Sequence, residues 1–300
     1  MKKHVVLTAA LTLLIVLQAA PAGAAPDTKA GTAAASHAEA VYKAALPLLS
    51  SGNLPGTITF MQTKLYAVTP YQATVLTLKL ENLHKALLPS WEKKFSSSDV
   101  QRRLISVYRG GVSMAKLAES TDNPALRTLL ESAAASGYKL ETAEGSFFPV
   151  IDYAGYRKYA SYVTEDIRSY ISIMATEADQ PASKDNGLVI AWGEVAARAL
   201  AQERFIQSYP KSNRVQAVKE LYARYTGNTF YGQNNTPLFH YDNQEMDLEA
   251  QKAYTALLSK ENGDSPFLKK LDGLMKLMKS NGYLLDDAAE AYLKTEVPQL

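Results

Sequence analysis

The sequence predicts a fold that is all-α or nearly so, built from antiparallel helical hairpins. Apolar residues recur at helical spacing along most of the chain, as in the series Leu76, Leu80, Leu83 and Leu87. Ser, Thr or Pro residues stand where helices would begin, and glycines stand where helices would end. With 300 residues, of which 47% are apolar, the chain can form a sizeable buried core.

Three helices with marked ends are predicted in the first half. Thr69-Pro70 supplies a cap and a first-turn proline for the first helix, and Ser98 and Gln101 have capping-box spacing for the second. Asn123-Pro124 begins the third, and Gly137 stands where a left-handed C-cap belongs.

After Gly137 the apolar residues no longer recur at helical spacing. Short runs that tolerate β structure lie on either side of Glu144-Gly145, so we expect a small β-hairpin, or another extended segment, near residues 138–151. Pro149 would keep its strand at an edge.

The second half returns to helices after the polar stretch 178–187. A long helix is expected from about Lys184 to Ser208, and the following helix is expected to close at Gly227. A loop then covers about 226–244 before helices resume.

Two of these later helices resemble each other. A shift of 53 residues places the apolar positions of 212–225 on those of 265–278. The turn with Phe205, Tyr209-Pro210 and Ser212 resembles the junction between successive tetratricopeptide-type repeats, in a region that covers about 191–282. This resemblance implies a repeat-like C-terminal half whose stacked hairpins present a groove to a protein or peptide.

The amino terminus has the pattern of a secretory signal peptide. Lys2 and Lys3 form a basic start, residues 5–20 form an apolar run, and residues 21–24 end in an A-x-A cleavage site. The predicted organisation is a signal peptide over 1–24, a flexible leader over 25–37, an N-terminal helical lobe over 38–178 and a C-terminal lobe over 179–300.

Charge and cysteine content exclude several kinds of partner and site. Lys2 and Lys3 account for the whole net charge of +2, so a cleaved chain would be neutral, without the clustered basic excess of a nucleic-acid-binding protein. The absence of cysteine excludes disulfides, thiol catalysis, Cys-based metal sites and lipobox acylation. No integral membrane segment is expected after cleavage, and we expect the protein to be secreted or associated with the cell envelope.

Three segments carry a further resemblance. TPYQATVLTLKLEN, GYKLETAEGSFFPVIDY and NNTPLFHYD are similar to segments of exported proteins of Gram-positive-type bacteria whose activity is uncharacterised. The resemblance implies export and carries no activity with it.

Candidate catalytic and metal-binding residues are few. Glu144 and Asp152 flank an aromatic pair, and two carboxylates could act as the acid and base of a glycoside hydrolase; alternatively they mark a turn and a helix start. His240, Asp242 and Glu245 could hold a metal ion, or the acids could cap the next helix.

The loop over 226–244 is rich in aromatic and amide side chains. Aromatic rings beside amides can bind sugars or peptides, although the same rings could instead anchor the loop to the helical core. The binding residues predicted here are Phe230, Tyr231, Asn234, Asn235, Phe239 and Tyr241. His84, by contrast, is expected to be an ordinary surface or boundary residue.

These observations favour a non-catalytic exported protein that binds a protein, peptide or cell-envelope polymer, through a groove between helices or the 226–244 loop. The alternatives are a cell-envelope hydrolase that uses Glu144 and Asp152, or a binder of small solutes. No cofactor is expected.

Overall fold

Helices dominate the structure, and β structure is confined to short antiparallel pairs, as the sequence predicts. The computed structural model describes residues 28–261 and 264–298, so the predicted signal peptide lies outside the described residues. None of the described helices has the length and apolar character needed to cross a membrane. The α-helices are α1 (Thr28–Ser50), α2 (Leu54–Lys64), α3 (Pro70–Phe95), α4 (Ser98–Val107), α5 (Met114–Glu119), α6 (Pro124–Ala135), α7 (Glu165–Asp179), α8 (Trp192–Ser208), α9 (Val215–Tyr231), α10 (Leu248–Lys260), α11 (Pro266–Ser280) and α12 (Asp287–Glu296), and 3-10 helices cover Leu65–Ala67 and Tyr153–Tyr159.

The first helix begins inside the segment predicted to be a flexible leader. Residues 28–37 belong to α1, because this stretch is rich in alanine, the strongest helix former. The chain divides into two units between Ser36 and His37, and the packing described below belongs to the second unit.

Buried apolar clusters stabilise the second unit. A first core collects residues between Ala45 and Ile171, and a second core collects residues between Ala182 and Val297. A smaller cluster joins α7 to α8 and α9 through Tyr170, Phe205 and Val218.

The predicted hairpin is confirmed. Strand β1 (Tyr138–Ala143) pairs with β2 (Ser146–Ile151), and both residues of the connecting turn, Glu144 and Gly145, have positive φ. That conformation defines the tight two-residue turn whose twist suits a hairpin.

Two smaller hairpins stand where the sequence predicts a helix and a loop. Strands β3 (Ser183–Lys184) and β4 (Gly187–Leu188) occupy the start of the helix expected from Lys184, because the positive φ values of Asp185-Asn186 form another tight turn. The helix α8 begins only at Trp192. Gly227 lies inside α9, and the predicted loop contains β5 (Gly232–Gln233) and β6 (Thr236–Pro237) instead.

The helices of the C-terminal half pack as α8 with α9 and α10 with α11. Val218 and Leu271, which the shift of 53 residues equates, are both fully buried. The helix starts differ, since Ser265 caps α11 whereas Ser212 donates a hydrogen bond to Asp166. The tetratricopeptide-type repeat stays a prediction.

A buried carboxylate links the two halves of the chain. Glu81, on α3, is 2% exposed. Its Oε1 accepts hydrogen bonds from the hydroxyls of Tyr153 (2.8 Å) and Tyr170 (2.6 Å). The same oxygen forms an ion pair with Lys85 at 2.7 Å. Its Oε2 accepts from Arg214 Nε at 2.8 Å, across 133 residues of chain. Burial would raise the pKa of Glu81, but the donors Lys85 and Tyr170 and the charge of Arg214 hold it below its usual value.

We expect Glu81→Gln to lower the free energy of unfolding by about 3 kcal/mol, because Arg214 would lose its carboxylate while remaining largely buried. Urea denaturation of the full chain measures the change. The matched control is Glu92→Gln, on the exposed face of the same helix, which should change the stability by less than about 0.5 kcal/mol. Equal stabilities of the two variants would contradict this role of Glu81.

Gly137 ends α6 in the left-handed conformation that the sequence predicts, with φ of 75°. A Cβ atom here would lie 2.7 Å from His84 Nε2, whereas at Gly111, which also has φ of 75°, it would meet nothing within 4 Å. Gly111→Ala therefore adds backbone strain alone, and Gly137→Ala adds strain and a clash. We expect Gly137→Ala to lower the free energy of unfolding by at least about 1 kcal/mol more than Gly111→Ala does, as measured by urea denaturation. A smaller difference would mean that the His84 side chain moves aside without loss of stability.

Candidate functional site

The predicted catalytic carboxylates do not meet. Glu144 forms the turn of the β1–β2 hairpin and Asp152 follows its last residue, so six-residue strands separate them. A rise of about 3.4 Å per residue puts their backbones about 20 Å apart, too far for the 5 to 10 Å of a glycosidase pair. The assignment of these two residues as a catalytic pair is therefore wrong, because they lie at opposite ends of one element.

The predicted metal ligands do not form a site either. Among residues 28–261 and 264–298, no three His, Asp or Glu side chains are placed to hold a metal ion. His240 Nε2 lies 4.0 Å from Asp247, whose carboxylate accepts the N–H of Ala250 and caps α10. The acid that caps the next helix is thus Asp247, and not Asp242 or Glu245.

Three of the predicted binding aromatics are taken up by internal contacts. Phe230 and Phe239 belong to the second core, and Phe230 packs edge-on against Phe267 with ring centres 5.9 Å apart. The hydroxyl of Tyr231 donates to the carbonyl of Val297 at 2.6 Å. Phe230 and Phe239 are therefore not binding residues, because burial in the core leaves them no surface to offer.

The amide residues of the loop lie where three hairpin turns meet. Asp185 Oδ1 accepts the N–H of Glu144 at 3.0 Å, and the carbonyl of Asp185 accepts from Asn235 Nδ2 at 2.6 Å. The N–H of Asn235 donates to the carbonyl of Asn186 at 2.9 Å. We call the turns Glu144-Gly145, Asp185-Asn186 and Asn234-Asn235 the three-turn corner.

Tyr241 stands beside this corner. Its hydroxyl donates to the carbonyl of Asn234 at 3.2 Å, and the residue is 69% exposed. Of the six predicted binding residues, Asn234, Asn235 and Tyr241 are therefore exposed, and Tyr231 is half-buried.

Below the corner lies a cleft of about 500 Å³, which the sequence analysis did not predict. Burial alternates along the β1–β2 hairpin, so one face packs on the first core through residues such as Leu140 and Phe147. The opposite face carries Phe148 and Val150 into the cleft. Its other lining residues include Leu88, Tyr153, Met174, Ala178, Pro181 and Asp185. We call this space the hairpin cleft.

Three charged groups of the hairpin cleft, Lys139, Glu141 and Lys184, are paired with one another. Lys139 Nζ lies 2.6 Å from Glu141 Oε1 and donates to the carbonyl of Ala178, at the end of α7. Lys184 Nζ lies 3.7 Å from the second oxygen of Glu141. One carboxylate thus has two ammonium partners, and the lining between them is apolar.

The second carboxylate of the cleft, Glu177, faces the C-terminal half. Both of its oxygens lie 2.7 Å from the hydroxyl of Tyr225, and Arg198 lies 3.4 Å away. Burial raises the pKa of Glu177, against the opposing effects of Tyr225 and Arg198. Its partners anchor the end of α7, so the residue's contacts are structural.

His84 is buried and not a surface or boundary residue as the sequence suggested. Its exposure is 2%, Nε2 lies 2.9 Å from the carbonyl of Ser136, and Nδ1 lies 2.6 Å from the hydroxyl of Tyr156. A carbonyl can only accept, so Nε2 carries the proton and Nδ1 accepts from Tyr156, which assigns a neutral ring. Burial lowers the pKa of His84 to about 4.

The hairpin residues that line the cleft were missed by sequence reasoning, although the sequence carries a weak signal for them. The alternation of Lys139, Glu141, Phe148 and Val150 with buried neighbours is a period of two, which identifies a second hairpin face. Nothing in the sequence shows that α7 lies across that face.

Comparison with known proteins adds no relative: no protein-family profile, no curated protein and no solved structure matches this chain.

The buried His84 predicts a loss of stability in mild acid. An unfolded histidine titrates near 6.5 and the folded one near 4, so the unfolded chain binds one more proton between these values. The contribution of His84 to the free energy of unfolding is complete above pH 6.5 and falls by on the order of 3 kcal/mol as the pH drops to about 4.

Urea denaturation between about pH 7 and pH 4 measures this slope. The variant His84→Gln should show a shallower slope than the wild type. Equal slopes for the two proteins would contradict the assignment.

Proposed function

We propose that this protein is a non-catalytic binding protein, exported from the cytoplasm, that holds an apolar segment of a protein, peptide or cell-envelope polymer in the hairpin cleft. The observation that carries the proposal is an open apolar cleft of about 500 Å³ between the outer face of the β1–β2 hairpin and α7. Sites of this size, mostly apolar with a few polar groups, are typical of ligand binding. Export is supported by the signal-peptide pattern of residues 1–24.

The distribution of polar groups supports binding over catalysis. Each carboxylate in the cleft already has partners, since Glu141 pairs with Lys139 and Glu177 accepts from Tyr225. A carboxylate held by internal partners orients its neighbours, and it is poorly placed to exchange a proton with a ligand.

The three-turn corner supplies a polar end to the apolar cleft. Asp185 belongs to both, because it lines the cleft and accepts from Asn235. Asn234, Asn235 and the exposed Tyr241 would then contact the polar part of a ligand whose apolar part fills the cleft.

A small apolar solute is the second candidate ligand, because the volume of the cleft also falls within the range of small-molecule sites. It needs only the cleft, and not the corner. The two ligand classes therefore differ in their dependence on Asn234, Asn235 and Tyr241.

Filling the cleft tests the proposal. Ala178→Phe places a ring between α7 and Val150, and Ala256→Phe is the matched control on the exposed face of α10. The apolar dye anilinonaphthalene sulfonate should bind the wild type and the control alike and bind Ala178→Phe about tenfold more weakly, as measured by fluorescence titration.

Circular dichroism first verifies that the variants are folded. Equal dye binding by Ala178→Phe and the wild type would refute the cleft as a binding site. A dye affinity that also falls in Asn235→Ala would assign the corner to the same site.

A further inference from the structure

The two outer edges of the β1–β2 hairpin differ. In a tight two-residue hairpin the pair next to the turn, Ala143 with Ser146, exchanges hydrogen bonds, and bonded pairs then alternate with unbonded ones. The bond from Asp152 N–H to the carbonyl of Gly137, at 3.0 Å, continues this alternation beyond the strands. The N–H and C=O groups of the intervening residues therefore point outward.

The outer edge of β2 is closed to another strand. Gln101 uses its side-chain amide as a strand would, accepting the N–H of Phe147 at 2.9 Å and donating to its carbonyl at 2.8 Å. The next outward position is Pro149, which has no N–H. The side chain of Gln101 therefore covers the edge of β2. It does not form the capping box predicted with Ser98, because Ser97 is the residue that caps α4.

The outer edge of β1 has no such protection. The outward positions are Tyr138, Leu140 and Thr142, and no hydrogen bond from the described part of the chain reaches the N–H or C=O of Leu140 or Thr142. At the turn end of the edge, Asp185 already accepts the outward N–H of Glu144. One carboxylate thus satisfies the first outward group, and the following ones are left free.

The hairpin cleft reaches this open edge at Thr142. Thr142 lies on the same face of β1 as Leu140, the face that packs on the first core, and it also lines the cleft. The free backbone groups of Thr142 therefore border the same space as the apolar side chains of Phe148 and Val150.

We propose that the ligand of the hairpin cleft is an extended peptide that adds to β1 as a third strand. Its backbone pairs with the N–H and C=O of Leu140 and Thr142, and alternate apolar side chains extend past Lys139 and Glu141, the β1 residues of the outer face, into the cleft. Strand addition supplies affinity through main-chain hydrogen bonds, and the cleft supplies selectivity for apolar residues. This inference rests on the proposed function, and it adds the chemistry and conformation of the partner.

The probe is a set of synthetic peptides, chosen by selecting a random phage-displayed heptapeptide library on the immobilised full chain. Each selected peptide is also made with single backbone N-methyl groups, one position at a time. N-methylation removes a donor without changing the side chain, so it should weaken binding about tenfold or more at alternate positions, which face β1, and little at those between.

A second readout is hydrogen exchange of the protein. Peptide binding should slow the exchange of the Leu140 and Thr142 amides by about tenfold or more. The variant Thr142→Pro removes one outward donor, as Pro149 does on β2, and should lose peptide binding while it keeps binding anilinonaphthalene sulfonate. The N-methylated peptides test strand addition on the wild-type protein, so the test does not depend on whether Thr142→Pro folds.

Each outcome decides between the two proposals. If Ala178→Phe abolishes peptide binding but every N-methylated peptide binds as well as its unmethylated parent, strand addition is overturned. The cleft would remain a binding site. Dye binding in the cleft with no enriched peptide would also overturn the inference alone. Absence of both dye and peptide binding would overturn the proposed function with it.

Discussion

Four donors converge on the buried carboxylate of Glu81, and they come from α3, from the 3-10 helix after β2, from α7 and from the turn before α9. The hydroxyl of Tyr170 fixes the first half of α7 against α3 through this carboxylate. Because α7 also carries Met174 and Ala178, the width of the hairpin cleft depends on where this one helix is held. A buried charge is tolerable here since every donor is close and the ions are paired.

The far end of α7 is held from both sides. Glu177 accepts from Tyr225 of α9, and the carbonyl of Ala178 accepts from Lys139 of β1. The polar groups around the cleft thus stabilise its walls, and the apolar side chains are left to face the open space. This division explains how a cleft that contains charged residues can remain largely apolar: the charges are paired, and the pairs position backbone elements.

Local signals predicted some elements well and others badly. The β1–β2 hairpin was predictable because Glu144-Gly145 suits a tight turn and the flanking strands are six residues long. The hairpin at Asp185-Asn186 was missed because strands of two residues are too short to show a period. Gly227 predicted a helix end, but α9 continues through it to Tyr231, since packing of the helix against its neighbours outweighs the propensity of one residue.

By itself, the sequence determined the helical fold class, the hairpin near 138–151, the left-handed Gly137 and the absence of any cysteine chemistry, because each follows from local periodicity, a single backbone conformation or composition. Only the tertiary structure decided the site. Glu144 and Asp152 lie far apart because they are at opposite ends of one hairpin, and Phe230 and Phe239 are buried in the second core. The open edge of β1, the closed edge of β2 and the cleft under α7 arise from contacts between residues far apart in the chain, which no local pattern specifies. Phe147 and Gln101 are 46 positions apart, and Glu81 and Arg214 are 133 apart.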